Sequence, residues 1–388
     1  MNAAGRLLVG IDGRSFTSPA AGVRRYVAGL VPALLALDEG LDIAALGGLD
    51  VPAGLRCFDE PPHPPTNLGW IIVGLPRAAA RAGVDLIHAP AYTAPLWSRV
   101  PVVLTVHDVS YARHPEWYPY RRDRFRRAFY RRSARAAAQI VTDSEFSAAE
   151  IRAAYGIAPD RLTVAPLGVS DDFAPSAAVA LPGESRGGVV APFLLHVGDL
   201  HERRNLAVVV GAVLEARRRA GVPPALSLVL AGVDRGVAEG LSGIARDAHA
   251  PEAVRHLGVV DETQLRLLYQ TAAALVYPSR YEGFGLPVLE AMASGTPVIG
   301  SRAASIPEVL GNAGILVDPE DARGWTDAIV RVVSDEDRRN AMRAAGLARA
   351  AEFTWARTAR ITLDVYRRAV AVAGPTSSTR PTRTPRAP

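Results

Sequence analysis

The stretch Arg280-Tyr-Glu-Gly-Phe-Gly-Leu-Pro-Val-Leu-Glu290-Ala-Met-Ala-Ser-Gly-Thr-Pro-Val-Ile299 decides how this chain is read. Glu282 and Glu290 bracket a Gly-x-Gly turn and a proline, and the apolar run behind them ends in a second small-residue turn. Proline is favoured at the first helical position, where its missing N–H costs nothing. A helix starting near Pro287 therefore points free N–H groups and its positive dipole end at the Gly283–Leu286 loop, a seat suited to a diphosphate. One carboxylate precedes that seat and the other lies three residues into the helix. Such a pair is badly placed to share a metal but can grip two ends of a ligand lying across the helix start. A nucleotide sugar has that layout, with sugar hydroxyls, a diphosphate and then ribose hydroxyls. The plainer alternative is a Gly-rich loop before an amphipathic core helix with two solvated glutamates.

Composition narrows the choice. A chain of 388 residues exceeds the ~250–300 at which single cores stop growing, so two domains are expected. Apolar residues make up 49% and charged residues 21%, as in a globular protein with an ample core. No run of 18 uncharged apolar residues occurs, and the N-terminus passes straight into a strand without a signal-peptide layout. A cytoplasmic enzyme is the expectation. Cys57 is the one cysteine, which excludes an internal disulfide and any Cys-rich metal site. All 44 basic residues are arginine. Schiff-base chemistry needs a lysine amine, so pyridoxal phosphate enzymes are excluded. The net charge of +5 partly reflects that compositional bias.

Short apolar runs alternate with helical periods along the chain. Strands are expected at Leu7–Ile11, Ile43–Leu46, Asp85–His88, Val102–Val106, Ile140–Thr142 and Leu162–Ala165. Helices are expected at Gly22–Leu37, Asn67–Arg81 and Arg121–Ala138, with Ser147-Ala-Ala-Glu150 read as a capping box opening another. The Pro/Gly/Ser/Ala-rich residues 174–191 read as a linker. The alternation then restarts with strands at Phe193–Val197, Leu226–Leu230, Ala274–Tyr277 and Val298–Ser301. Helices are expected at Asn205–Ala220, Thr263–Thr271, from Pro287, at Asp321–Ser334, from Asp335 and after Trp355. The Thr/Ser/Pro/Arg tail 374–388 is expected to be disordered. Such alternation implies parallel sheets covered on both faces, with their carboxyl ends facing a cleft between two α/β units.

Several constellations fall at that cleft. Arg203 and Arg204 follow a strand and a Gly turn at a helix start, where cations oppose the dipole and need an anion. Their guanidinium forks suit a diphosphate. His107 and Asp108 stand at the carboxyl end of Val102–Val106, open to a structural or a functional reading. The segment Ala20-Ala-Gly22-Val-Arg-Arg-Tyr26 resembles the Gly-rich first loop of the retaining family 4 glycosyltransferases, and the resemblance implies close backbone approach to the reacting centre at Gly22. Eight arginines lie between Arg121 and Arg135, interleaved with Phe125, Phe129 and Tyr130. Packing on the sheet is the preferred reading of that helix, and contact with anionic membrane the alternative. No nucleic-acid-binding signature accompanies the charge. Asp335-Glu-Asp337 imitates a metal-binding Asp-x-Asp but reads as a solvated cap.

The Glu282–Glu290 segment resembles the Glu-x7-Glu motif of the retaining family 4 glycosyltransferases, and the resemblance extends over residues 5–372. Leu195-His-Val-Gly-Asp-Leu-His-Glu-Arg203-Arg204-Asn205 resembles the family's Arg-Lys-Asn element, with Arg204 in place of lysine and His201-Glu202 in place of an acidic-proline pair. The segment from His107 to Trp117 resembles the first-domain His-Asp segment of mannosyltransferase-like members, in which the histidine lies beside the donor sugar. The resemblance implies an α/β GT-B architecture, two Rossmann-like domains with parallel sheets facing a central cleft. Residues 1–173 would bind acceptor, residues 192–353 the donor, and a helix over 354–372 would cross back to the first domain.

These readings combine into a retaining, metal-independent hexosyltransferase. Its expected catalytic group is Glu282, Arg203, Arg204 and His107. Gly283, Phe284, Gly285, Leu286, Pro287 and Glu290 would hold the donor, and Gly22 and Asp108 would stand near the reacting centre or acceptor. No metal and no cofactor beyond the nucleotide-diphosphate sugar are expected. The donor expected first is GDP-mannose, the acceptor a glycan, a lipid-linked species or a small molecule, and the location cytoplasmic or peripheral on the inner membrane face. The alternatives are a nucleotide-sugar epimerase or hydrolase on the same fold, and a non-catalytic nucleotide-binding protein. An oxidoreductase is disfavoured, because Asp12-Gly-Arg-Ser follows the first strand instead of Gly-x-Gly-x-x-Gly.

Overall fold

A computed structural model describes residues 6–48, 50–52, 54–58, 66–118, 122–176 and 192–373. Arg121, most of the expected linker and the 374–388 tail lie outside the described residues.

Two wholly parallel sheets carry the molecule. The first contains β1 (Leu7–Asp12), β2 (Leu41–Leu46), β3 (Arg56–Phe58), β4 (Leu86–Ala89), β5 (Val102–Thr105), β6 (Gln139–Thr142) and β7 (Leu162–Val164), in the order β3-β2-β1-β4-β5-β6-β7. The second contains β8 (Phe193–Val197), β9 (Ser227–Ala231), β10 (Val254–Gly258), β11 (Ala274–Tyr277), β12 (Val298–Ser301) and β13 (Ile315–Val317), in the order β10-β9-β8-β11-β12-β13. The central strands are continuous apolar runs because helices bury both faces; every residue of β5, β8 and β11 is buried.

In each sheet the strand order reverses beside the strand that opens it, between β1 and β4 and between β8 and β11. Ligands of such sheets bind outside the carboxyl ends at that reversal. The sequence therefore delivers Asp12 and Pro90 to one such crevice, and Gly198–Arg204 and Ser279–Glu282 to the other.

The Trp355–Ala373 helix lies on the first sheet's side of the molecule. Tyr366 Oη is 2.7 Å from His88 Nδ1 on β4, and Thr358 Oγ1 donates to the Pro166 carbonyl at 2.6 Å. A Cβ on Gly29 would come within 2.1 Å of the Trp355 ring. That close approach requires glycine.

Three expectations change. The capping serine of the Glu145–Tyr155 helix is Ser144, whose Oγ accepts from Ser147 N at 3.0 Å, so the helix begins before Ser147. Glu150 instead accepts from Arg113 Nε at 2.8 Å. The basic helix spans Arg124–Ala136, held at its start by Asp123, which accepts from Arg126 N at 2.8 Å. Strands β3, β10 and β13 and the Ala238–Asp247 and Ile306–Leu310 helices were not anticipated; the three strands lie at sheet edges, where short half-exposed segments carry a weak apolar period. No described helix is long and apolar enough to cross a membrane.

Candidate active site at the cleft

The crevice at β8 and β11 gathers three of the residues singled out in the sequence. Arg203 and Arg204 end a short 3-10 turn, and the chain leaves it through Asn205 at φ 52°. Asparagine tolerates that left-handed conformation, and its side chain is tied to the Pro319 carbonyl at 2.5 Å. The Arg204 guanidinium is buried over the Tyr277 ring, 5.2 Å from its centroid. It donates to Tyr277 Oη and, at 3.2 Å, to Ser279 Oγ. It also forms an ion pair with Glu282. Arg203 donates to the Tyr281 carbonyl at 3.1 Å and stands 3.7 Å from Glu282 Oε1. Burial pushes the Arg204 pKa below the ordinary arginine value, and the neighbouring Arg203 charge acts in the same direction. Glu282 is the carboxylate that meets both cations.

The loop after Glu282 is shaped by its neighbours. Gly283 carries its Cα so close to the first half that a Cβ would lie 2.4 Å from the His107 carbonyl oxygen. Gly285 sits at φ 109°, and a Cβ there would meet Ile306 at 2.8 Å. The following helix spans Leu286–Ala293, with Pro287 in its first turn. The expected set of free N–H groups is smaller than the sequence suggested. Val288 N and Leu289 N both turn back to the Gly285 carbonyl, at 2.9 and 3.3 Å. Among the described residues, the N–H groups of Phe284, Gly285 and Leu286 donate to no protein atom.

Glu290 lies apart from Glu282. It is 2% exposed, forms an ion pair with Arg25 of the Ala21–Ala36 helix, and accepts from Tyr269 Oη at 2.9 Å. Burial pushes its carboxyl above the ordinary glutamate value, against the pull of Arg25. A cavity of about 850 Å³ opens beside Glu290, Arg25 and Glu262. Gly22 lies in the first turn of the same helix as Arg25, and a Cβ there would meet no atom within 4 Å. The protein itself therefore does not demand glycine at that position.

On the first sheet's side, His107 is held at both nitrogens. Nδ1 is 2.8 Å from Asp143 Oδ2 and Nε2 is 3.1 Å from the Pro90 carbonyl. The carbonyl only accepts, so Nε2 carries the proton it gives to Pro90, and Nδ1 shares a proton with the Asp143 carboxyl. Burial opposes a charge on the ring, yet Asp143 outweighs it and the His107 pKa stands above the ordinary value. His107 therefore has no free lone pair with which to act as a base. Asp108 Oδ1 accepts from the Ser110 N–H and hydroxyl at 2.9 and 2.7 Å, which turns the chain after β5.

At the start of the Glu145–Tyr155 helix, Ser144 was missed in the sequence and Ser147 was read only as a cap. Ser144 Oγ donates to the Gly283 carbonyl at 2.6 Å, and Ser147 Oγ lies 3.0 Å from that oxygen and 2.9 Å from the His107 carbonyl. Their signal was position alone, just past the carboxyl end of β6. A second cavity, of about 430 Å³, lies at the carboxyl end of β1 and is walled by Asp12, Arg14, Tyr92, Asp123, Arg126 and Phe129 among others.

Residues 20–173 match the family model described as Glycosyltransferase Family 4, and residues 189–349 match Glycosyl transferases group 1. The O-antigen chain mannosyltransferase B of Escherichia coli is 34% identical over 281 residues, which is 68% of this chain and 70% of that protein. Among solved structures, the sucrose-phosphate synthase of Thermosynechococcus elongatus superposes with a TM-score of 0.72 at 22% identity, over 95% of this chain and all of that one. The Anabaena protein HepE, solved with UDP and glucose, gives a TM-score of 0.70 at 17% identity, over 94% of this chain and 100% of that one. The two matched segments, the Escherichia coli relative and the paired parallel sheets make this chain a glycosyltransferase of the group 1 and family 4 type, built on the GT-B fold.

Proposed function

We propose that this glycosyltransferase is retaining and metal-independent, and that it moves a hexose, mannose before others, from a nucleotide-diphosphate sugar to a glycan, lipid-linked or small-molecule acceptor. The observation that carries the reading is the juxtaposition of buried Arg204, half-buried Arg203 and Glu282 with a loop whose Phe284, Gly285 and Leu286 N–H groups have no protein acceptor among the described residues. Breaking the anomeric bond throws negative charge onto the diphosphate, and preorganised cations and N–H groups stabilise that charge. Arg203, Arg204 and the Leu286 helix start take this role, with the loop N–H groups and Glu282 on the sugar hydroxyls. Glu290 takes the ribose, exchanging part of its hold on Arg25.

The leaving phosphate oxygen accepts the acceptor's proton on the face from which it departs. Retention then needs no side-chain base, in keeping with a His107 whose nitrogens are both engaged. The arginines supply the charge that a divalent ion would otherwise supply. HepE was solved with UDP-glucose and with UDP, which supports a nucleotide-sugar donor here. The name of the Escherichia coli relative supports mannose, and GDP-mannose is the donor to try first. The cavity at Asp12 and Tyr92 is the place for the acceptor. Residues 1–173 and 192–353 form the acceptor and donor domains of this reading.

A panel of nucleotide sugars, with and without acceptors and in excess chelator, tests it by mass spectrometry and by NMR of the product anomer. Transfer with retained configuration and undiminished rate in EDTA is expected. Isomerisation or hydrolysis without acceptor would favour an epimerase or hydrolase. An inverted product, or activity lost to EDTA and restored by Mg²⁺ or Mn²⁺, would overturn the mechanism.

A further inference from the structure

Glu308 belongs to the second half, on the Ile306–Leu310 helix, yet its carboxylate caps a helix of the first. Oε2 accepts from Glu145 N at 2.8 Å and Oε1 from Phe146 N at 2.7 Å. The next donor, Ser147 N, is satisfied locally by Ser144 Oγ at 3.0 Å, and Ala148 N makes the first intrahelical bond, to the Ser144 carbonyl, also at 3.0 Å. A helix leaves four N–H groups without internal partners at its start. Of those on Glu145, Phe146 and Ser147, the helix's own cap meets one and Glu308 meets two from across the cleft. The Glu145–Tyr155 helix therefore has a complete N-terminus only while the two halves are together.

The same helix end holds the donor loop. Ser144 and Ser147 both reach the Gly283 carbonyl, and Ser147 ties it to the His107 carbonyl. A trans peptide is planar, so its C=O and the next N–H point in opposite directions. Pinning the Gly283 oxygen toward the serines therefore turns the Phe284 N–H to the far side of the loop. That N–H is one of the three without a protein acceptor.

We infer that Glu308 is a positioning residue: by capping the Glu145–Tyr155 helix across the cleft it brings Ser144 and Ser147 onto the Gly283 carbonyl and so aims the Phe284 N–H at the donor sugar. The inference rests on the proposed role of the 283–286 loop. Its parts are separable from nucleotide binding, because Arg203, Arg204 and Glu290 do not touch Glu308. Glu308 acts on how the bound donor is held.

Glu308→Ala and Glu308→Gln test it by amide exchange at Glu145 and Phe146, calorimetry with nucleoside diphosphate, and steady-state transfer. In Glu308→Ala the two amides should exchange about tenfold faster, the scale of losing a helix cap. Nucleoside-diphosphate affinity should stay within about twofold, and kcat should fall about tenfold or more. Glu308→Gln keeps one accepting oxygen and should fall between. Unchanged exchange in Glu308→Ala overturns the inference, as does unchanged kcat. Equal loss of kcat and nucleotide affinity with a lowered melting temperature also overturns it, by marking a merely structural role. A wild-type chain that transfers no sugar would sink the proposed function, and the exchange measurement would still decide whether the cap exists.

Discussion

Glu282 meets Arg203 and Arg204 in the unliganded chain, so each side neutralises the other until a donor arrives. Removing the carboxylate frees two cations for the diphosphate while taking away a contact to the sugar. Glu282→Ala is therefore expected to bind nucleoside diphosphate as tightly as the wild type or more tightly. Its turnover should drop about 100-fold, the scale of one lost transition-state contact. Glu290→Ala should instead weaken nucleoside diphosphate and nucleotide sugar alike, since both carry ribose. Calorimetry and kinetics on the two variants separate them; parallel losses of nucleotide affinity would refute the division of labour. Arg204 adds a companion test. Its fork is held by Tyr277, Ser279 and Glu282, and lysine keeps only the charge. Arg204→Lys should retain measurable turnover, and Arg204→Ala should lose far more. Near-normal turnover in Arg204→Ala would make the pair a structural helix start.

Among the elements, the Arg124–Ala136 helix leaves most of its length exposed or half-buried. Ser133 and Ala134 are its buried residues, while Phe125 is 66% exposed. Arg124, Arg131 and Arg132 are exposed, and their side chains make no ion pair or hydrogen bond among the described residues. A helix with exposed arginines and an exposed aromatic suits an anionic lipid surface. We propose peripheral contact there, beside the cavity assigned to the acceptor. Sedimentation with phosphatidylglycerol vesicles should retain the wild type, and Arg131→Ser/Arg132→Ser should weaken retention, with the effect fading at high salt. Equal binding to neutral vesicles would reject the proposal. This element also marks how far the sequence could be read. Long buried runs such as Val102–Thr105 and Phe193–Val197 declared their strands, and Glu282, Arg203 and Arg204 declared a shared crevice through strand order. The half-exposed edge strands β3, β10 and β13 did not, because their short segments carry only a weak apolar period. The contacts of Ser144, Ser147, Glu308 and Arg25 were illegible for another reason: each partner lies more than 130 residues away across the cleft.

For the whole molecule, the two fully buried histidines set a response to acid. Burial holds His88 and His196 at about 3, well below the ordinary histidine value. A base whose folded pKa is depressed is neutral in the fold, so its contribution is complete above the unfolded value of about 6.5 and is lost as pH falls toward 3. At pH 5 that loss amounts to about 2 kcal/mol for His88. Urea unfolding of His88→Gln should accordingly show a smaller drop in stability between pH 7.5 and pH 5 than the wild type. An identical drop would mean His88 does not titrate with unfolding. His107 acts oppositely: its raised value gives stability that is complete below about 6.5 and lost as pH rises through the folded value. His88 also joins the chain's beginning to its end through Tyr366. Pro166 of the first half bonds Thr358, 192 residues later. A ribosome adding ~5–20 residues per second makes that interval about 10 to 40 seconds. During it the second half is finished while the surface around Gly29 and His88 still lacks its covering helix. The half synthesised first is thus the half completed last, and a nascent chain stalled before Trp355 would offer that uncovered surface to chaperones.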